Sequence, residues 1–262
     1  REQIRYVIPT HVHLDHAGGA GQLMRACPNA TLVVHPRGQP HMIDPSKLQA
    51  GATAVYGEAA FARDFGTLLP IDAERTLAAE DGLALPLGRR QLRFIHTPGH
   101  ANHHGCIHDE SSGFLYTGDT FGLGYRELRR DGVPLLVATT TPVAFDPDTW
   151  SDSLDRMMAL SPAACCLTHF GKVDAPEAHV DELRASISRH REIALAEEHR
   201  EPEGRAQRLL AAVEAELVDA GAENLKRTRI DRTPDWWAES AQSPYRIAAF
   251  TETKTVWHPK GK

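Results

Sequence analysis

Apolar residues change their spacing several times along this chain, and each change predicts a different element. Residues 4–8 form a short, largely apolar run that reads as a strand, and residues 31–35 form another. Between them, residues 17–26 have helical character. Residues 36–66 keep no sustained period, with Met42, Tyr56, Phe61 and Phe65 spread through them. A helical or looped insertion is expected there, whose aromatic residues either roof a site or bury the insertion's own core. From about 71 to 117, β-prone runs such as 91–95 and 113–117 alternate with turns. Residues 148–160 carry Trp150, Leu154, Met157 and Met158 at helical spacing, behind an Asp146-Pro147-Asp148 start. A further β-prone run covers 163–168. Beyond residue 176 the composition shifts to Ala, Glu, Arg and Leu. Ile187, Ile193, Leu209, Leu210, Val213 and Leu217 then recur at helical intervals, with a break at 201–204. Residues 236–257 fit either a helix or a hairpin, and no internal repeat is present.

Composition places this pattern in a globular protein: 41% of the 262 residues are hydrophobic and 24% charged. A net charge of -6 offers no electrostatic case for a polyanionic partner such as nucleic acid. No run of eighteen apolar residues predicts a membrane span, and Arg1-Glu2-Gln3 opens no signal-peptide core. Cys27, Cys106, Cys165 and Cys166 form no CxxC pair, and reduced thiols in a cytoplasmic setting are the expectation.

Candidate chemistry enters with the segment Thr10-His11-Val12-His13-Leu14-Asp15-His16-Ala17-Gly18-Gly19, directly after the first strand. Four donors of the kind a divalent ion prefers fall within six residues. On an extended stretch His11 and His13 point the same way, because side chains repeat with period two. Asp15 and His16, on the turn beyond, can serve a second ion. Three later positions supply further donors, each behind a β-prone run: His100 in His96-Thr97-Pro98-Gly99-His100, Asp119 in Thr117-Gly118-Asp119, and His169 in Thr168-His169-Phe170-Gly171. Any one of them alone is weak, since a histidine after a strand or a Gly-Asp pair is usually structural. Their order, HxHxDH followed by His, Asp and His, carries the signal.

In this order and spacing the chain resembles the metallo-β-lactamase superfamily of metallohydrolases, over roughly residues 4–172, with features of its glyoxalase II-like or generic hydrolase branch. The resemblance implies an α/β fold, an αββα sandwich over residues 1–175, with a mainly helical extension over 176–262. It implies one metal ion at His11, His13 and His100, a second at Asp15, His16 and His169, and Asp119 bridging them. Zinc is the first expectation, with iron, manganese, cobalt or nickel as alternatives. The family normally carries additional strands before the HxHxDH segment, where this chain has nine residues. The expected sandwich therefore lacks part of one sheet: a longer native chain would supply it, or an edge-to-edge homodimer or a replacement strand from residues 245–257 would cover the edge.

The implied activity is hydrolysis of a small ester, thioester or lactone by a metal-bridging hydroxide, with Asp15 and Asp119 as catalytic carboxylates. Two other readings share the fold: an iron-dependent oxygen or sulfur enzyme, and a phosphodiesterase. Flavodiiron members carry glutamate where this chain has His13, and persulfide dioxygenases lack the second ligand set. Secondary candidates are His104, beside a ligand or the substrate, and Tyr125 and Arg126, toward a leaving group or anion.

Overall fold

The computed structural model describes residues 1–124, 134–139, 144–169, 171–198, 200–201 and 203–219. They form two compact units. The first comprises Arg1–Thr97 and Asn102–Tyr116, the second Pro98–Ala101 and the chain from Thr117 onward.

In the first unit, β1 (Tyr6–Val7), β2 (Thr31–Val34) and β3 (Thr76–Ala78) form a parallel sheet in that order, with β1 at an edge. Parallel neighbours need crossovers, and helices supply them. Between β1 and β2 lie α1 (Leu14–Ala17) and α2 (Ala20–Ala26). Between β2 and β3 lie α3 (Gln39–Ile43), α4 (Ser46–Tyr56) and α5 (Glu58–Asp64). The expected insertion is thus three helices. Its aromatic residues meet one another, with Tyr56 and Phe61 each about one ring-width from Phe65 (5.5 and 5.6 Å). That is the insertion's own core rather than a roof.

An antiparallel meander follows: β4 (Ala84–Leu87), β5 (Arg90–His96), β6 (Gly105–Asp109) and β7 (Phe114–Gly118), whose last two residues belong to the second unit. Alternation along β2 explains how these layers meet. Leu32 and Val34 join Val12, Met24, Met42 and Ile71 in a helix-side core, while Val33 joins Leu85, Leu92, Phe94 and Ile107 on the opposite face. A strand buried on both faces reads as an unbroken apolar run, which Leu32-Val33-Val34 is. Arg75 locks the end of α2, donating to the carbonyls of Met24, Cys27 and Ala30 at 3.0, 2.7 and 3.0 Å.

The second unit contains α6 (Pro147–Met158), the hairpin of β8 (Ala164–Leu167) and β9 (Gly171–Asp174), α7 (Val180–Ala196) and α8 (Arg205–Asp219). The Asp146 carboxylate accepts the Thr149 N–H at 3.0 Å and Pro147 occupies the first turn, so α6 begins where its sequence signals a start. Its buried face is Trp150, Ser153, Leu154 and Met157. Leu183 and Ile187 of α7 and Leu209, Val213 and Leu217 of α8 are buried likewise. Among the described residues no helix is long and apolar enough to cross a membrane. The expectations for residues 236–257 and 245–257 lie outside the described residues.

Candidate metal centre

The histidine-rich segment is shaped by what surrounds it in the first unit. The Thr10 carbonyl accepts the Gly105 N–H at 2.8 Å, tying the segment to the start of β6. Val12 is fully buried in the helix-side core, so its neighbours leave the chain on the other side. His11 and His13 therefore converge, with Nε2 of one 2.8 Å from Nδ1 of the other. Thr10 Oγ1 lies 3.1 Å from His11 Nδ1, which leaves Nε2 as the inward atom of that ring. The His13 carbonyl accepts the N–H groups of His16 and Ala17 at 3.0 and 2.8 Å. Asp15 and His16 were expected on a turn; this bonding winds them into the one-turn helix α1 instead. His16 Nε2 then lies 3.3 Å from Asp15 Oδ2, and the His16 ring is 3.9 Å from that of His11.

Two histidines outside the expected ligand set, His103 and the secondary candidate His104, complete this cluster. His103 lies nearly parallel to His11 at 6.1 Å and edge-on to His13 at 5.3 Å. His104, the candidate second partner, is fully buried with its ring 4.8 Å from His11. Its Nδ1 is 2.9 Å from Thr97 Oγ1, itself 3.2 Å from Cys106 Sγ. A ring held by a buried hydroxyl network keeps its orientation, and this one packs against the candidate ligand His11.

A second imidazole pair sits at the ends of β2 and β5: His35 and His96 are 4.1 Å apart between ring centres. Burial, then the neighbouring His96, His103 and Arg37, lower the His35 pKa to about 4, against a smaller raising effect of Asp81. His35 Nδ1 accepts the Arg37 N–H at 3.0 Å, which suits a neutral ring. Position at two strand ends was the only sequence signal for this pair.

The second unit gathers the other three predicted ligands. Asp119 is 1% exposed, and its two oxygens face different rings: Oδ2 is 3.3 Å from His100 Nε2, and Oδ1 is 3.4 Å from His169 Nε2. Two ligands on one tetrahedral zinc, at bonds of about 2.0–2.1 Å, stand roughly 3.3 Å apart. The spacing matches that of donors directed at common points, one on each side of the carboxylate. His100 Nδ1 donates to the Thr139 carbonyl at 3.0 Å, which fixes the tautomer and presents Nε2. The adjoining Ala138 N–H donates to Ser186 Oγ of α7 at 3.2 Å, so the C-terminal helices help hold this strap.

The second unit thus brings His100, Asp119 and His169 together, and the first brings His11, His13, Asp15 and His16 together. These side chains offer donors of the kind that hold a metal ion. Buried imidazole nitrogens beside carboxylate oxygens are a chemically apt set for zinc or another borderline divalent ion. Tyr125, Arg126 and Phe170 lie outside the described residues.

Comparison with known proteins identifies the family. A sequence profile of the metallo-beta-lactamase superfamily matches residues 1–169, and the chain belongs to that superfamily. It is 28% identical over 191 residues to a metallo-beta-lactamase fold-containing protein of Sulfurisphaera tokodaii, covering 72% of this chain and 68% of the relative. A solved archaeal member from Sulfolobus tokodaii superposes with a TM-score of 0.55 at 26% identity, covering 85% of this chain and 80% of that one. The expected α/β metallo-β-lactamase fold is therefore the observed one. Two named hydrolases are also similar. An acyl-coenzyme A thioesterase of Bos taurus is 32% identical over 113 residues (43% of this chain, 39% of the relative). A hydroxyacylglutathione hydrolase of Maricaulis maris is 30% identical over 116 residues (44% of this chain, 33% of the relative). This chain thus spans about two fifths and one third of those two relatives.

Proposed function

We propose that the chain is a dinuclear metal-dependent hydrolase of a small thioester. The observation that carries the reading is Asp119, buried with one oxygen toward His100 and the other toward His169. A carboxylate so placed is suited to two ions, one per oxygen. On this reading His11, His13 and His100 hold one ion, and Asp15, His16 and His169 hold the other. Bound ions would supply a hydroxide at neutral pH and polarise the substrate carbonyl.

The remaining work falls to this chain's own side chains. Asp119 keeps both ligand groups in register. Asp15, beside His16 Nε2, orients the attacking group and holds its proton at the carboxylate. Burial of His11 and His100 excludes competing water from the donor atoms. Support for thioesters comes from the two similar hydrolases, whose names specify acyl-coenzyme A and hydroxyacylglutathione. Zinc is the proposed metal, and a small molecule in the cytoplasm the proposed substrate.

Metal analysis of the purified protein, paired with a panel of ester, lactone, thioester and phosphodiester substrates, tests the proposal. The expected result is two equivalents of metal and turnover of thioesters. One firm equivalent, or activity confined to phosphodiesters, would overturn it.

A further inference from the structure

We propose that Trp150 and Ser153 of α6 are positioning residues: they set the spacing of His100 and Asp119 without supplying a donor atom. The proposal rests on the reading of His100 and Asp119 as metal ligands.

His100 and Asp119 sit on separate loops, and neither loop carries regular structure of its own at the ligand. Both are tied to one helix. Ser153 Oγ donates to the Pro98 carbonyl at 2.6 Å. At the cap of the same helix, the Asp146 N–H donates to the Gly99 carbonyl at 2.9 Å. The Trp150 indole N–H donates to the Thr120 carbonyl, one residue beyond Asp119, at 2.7 Å. A twelve-residue helix is a rigid template, so these bonds fix one loop relative to the other.

The fit between loop and helix is close. Gly99 has φ +123°, and a methyl group there would overlap the Trp150 backbone. No other residue lets the loop lie on α6 in this way. The Trp150 ring meets His100 edge-on at 5.7 Å and Phe145 at 6.0 Å. Trp150 is fully buried, so water cannot replace the indole N–H at Thr120.

A buried tryptophan on an apolar helix face is ordinarily core. The polar links give it a further role, and Met157 provides the contrast. Met157 is equally buried on the same helix but is bonded to neither ligand loop.

The test compares the parent with Trp150→Phe, Ser153→Ala and Met157→Ala. Thermal midpoints report packing. Affinity for zinc and cobalt(II), by competition with a chromophoric chelator, and the visible spectrum of the cobalt form report ligand geometry. Losing an outer partner of a metal ligand typically costs about 10–100-fold in metal affinity. That loss, with an altered cobalt spectrum, is expected for Trp150→Phe and Ser153→Ala. Met157→Ala should lower the thermal midpoint and leave affinity and spectrum unchanged.

Parent-like affinity and spectra in both loop-link variants would overturn the proposal. So would losses no greater than those of Met157→Ala at a matched fall in midpoint. If Trp150→Phe does not fold, Ser153→Ala carries the same test alone. A parent that binds neither zinc nor cobalt overturns the metal reading and this proposal together. A metal-binding parent with indifferent variants overturns this proposal only.

Discussion

Acid should destabilise this protein through His35 before most carboxylates titrate. The perturbation is a fall in pH from 7.5 to 5.0, applied to the parent and to His35→Asn. Asparagine keeps an acceptor for the Arg37 N–H but cannot titrate. Burial, His96, His103 and Arg37 hold the His35 pKa at about 4, against an ordinary 6.5. A depressed pKa means that the unfolded chain binds the proton first. Stability is therefore intact above pH 6.5 and is lost as pH falls from there toward 4. At 1.36 kcal/mol per unit, the whole shift sets a ceiling of about 3.4 kcal/mol. At pH 5 linkage gives about 2 kcal/mol of this, and local relaxation with water penetration to the charged ring lowers it to roughly 1 kcal/mol. That corresponds to about 2–4 °C in Tm for a chain of this size. The assay is the thermal midpoint of both proteins at pH 7.5 and 5.0. Any acid-driven loss of metal is common to both and cancels in the comparison. The parent should lose roughly 1 kcal/mol more than His35→Asn between the two pH values. Equal losses would refute the argument, as would a His35 imidazole that titrates near 6.5 by NMR.

Two further outcomes follow from single side chains. Asp119→Ala should release at least one ion and lower turnover by orders of magnitude, because one carboxylate faces both His100 and His169. Metal content and kcat within a few-fold of the parent would exclude Asp119 as a bridge. Arg75→Ala removes three bonds to the end of α2 and should cost about 1–3 kcal/mol of stability in urea unfolding. An unchanged midpoint would show that water satisfies those carbonyls.

Local signals made part of this molecule legible from sequence. Leu32-Val33-Val34 announces a strand, though not that both its faces are buried, and Asp146-Pro147 announces the start of α6. The HxHxDH run and the three later donors identify candidate ligands because metal chemistry restricts both residue type and spacing. What the sequence hides is contact between distant segments. Gly99 against Trp150 and His104 against Thr97 depend on how strands and loops return to one another. The helices α4 and α5 are rich in Ala, with Gly and Thr in α4, and α3 is only five residues long, so no apolar period marked their bounds. Asp15 and His16 entered a helix because the His13 carbonyl captures two amide protons, a choice that composition does not dictate.

The loop at Pro98–Ala101 also has a consequence for biosynthesis. It emerges from the ribosome between two sequence segments of the first unit, yet its partners Asp146, Trp150 and Ser153 come some fifty residues later. At about 5–20 residues per second, those partners lag by several seconds. For that interval the Pro98 and Gly99 carbonyls rely on water, and His100 has no fixed direction. The four donors of residues 11–16 are made long before, so an ion captured early would meet an incomplete ligand set. A nascent chain released into solvent through residue 120, with Asp146 to Ser153 still inside the ribosome, should therefore show a first unit that resists protease while the peptide bonds around His100 are cut.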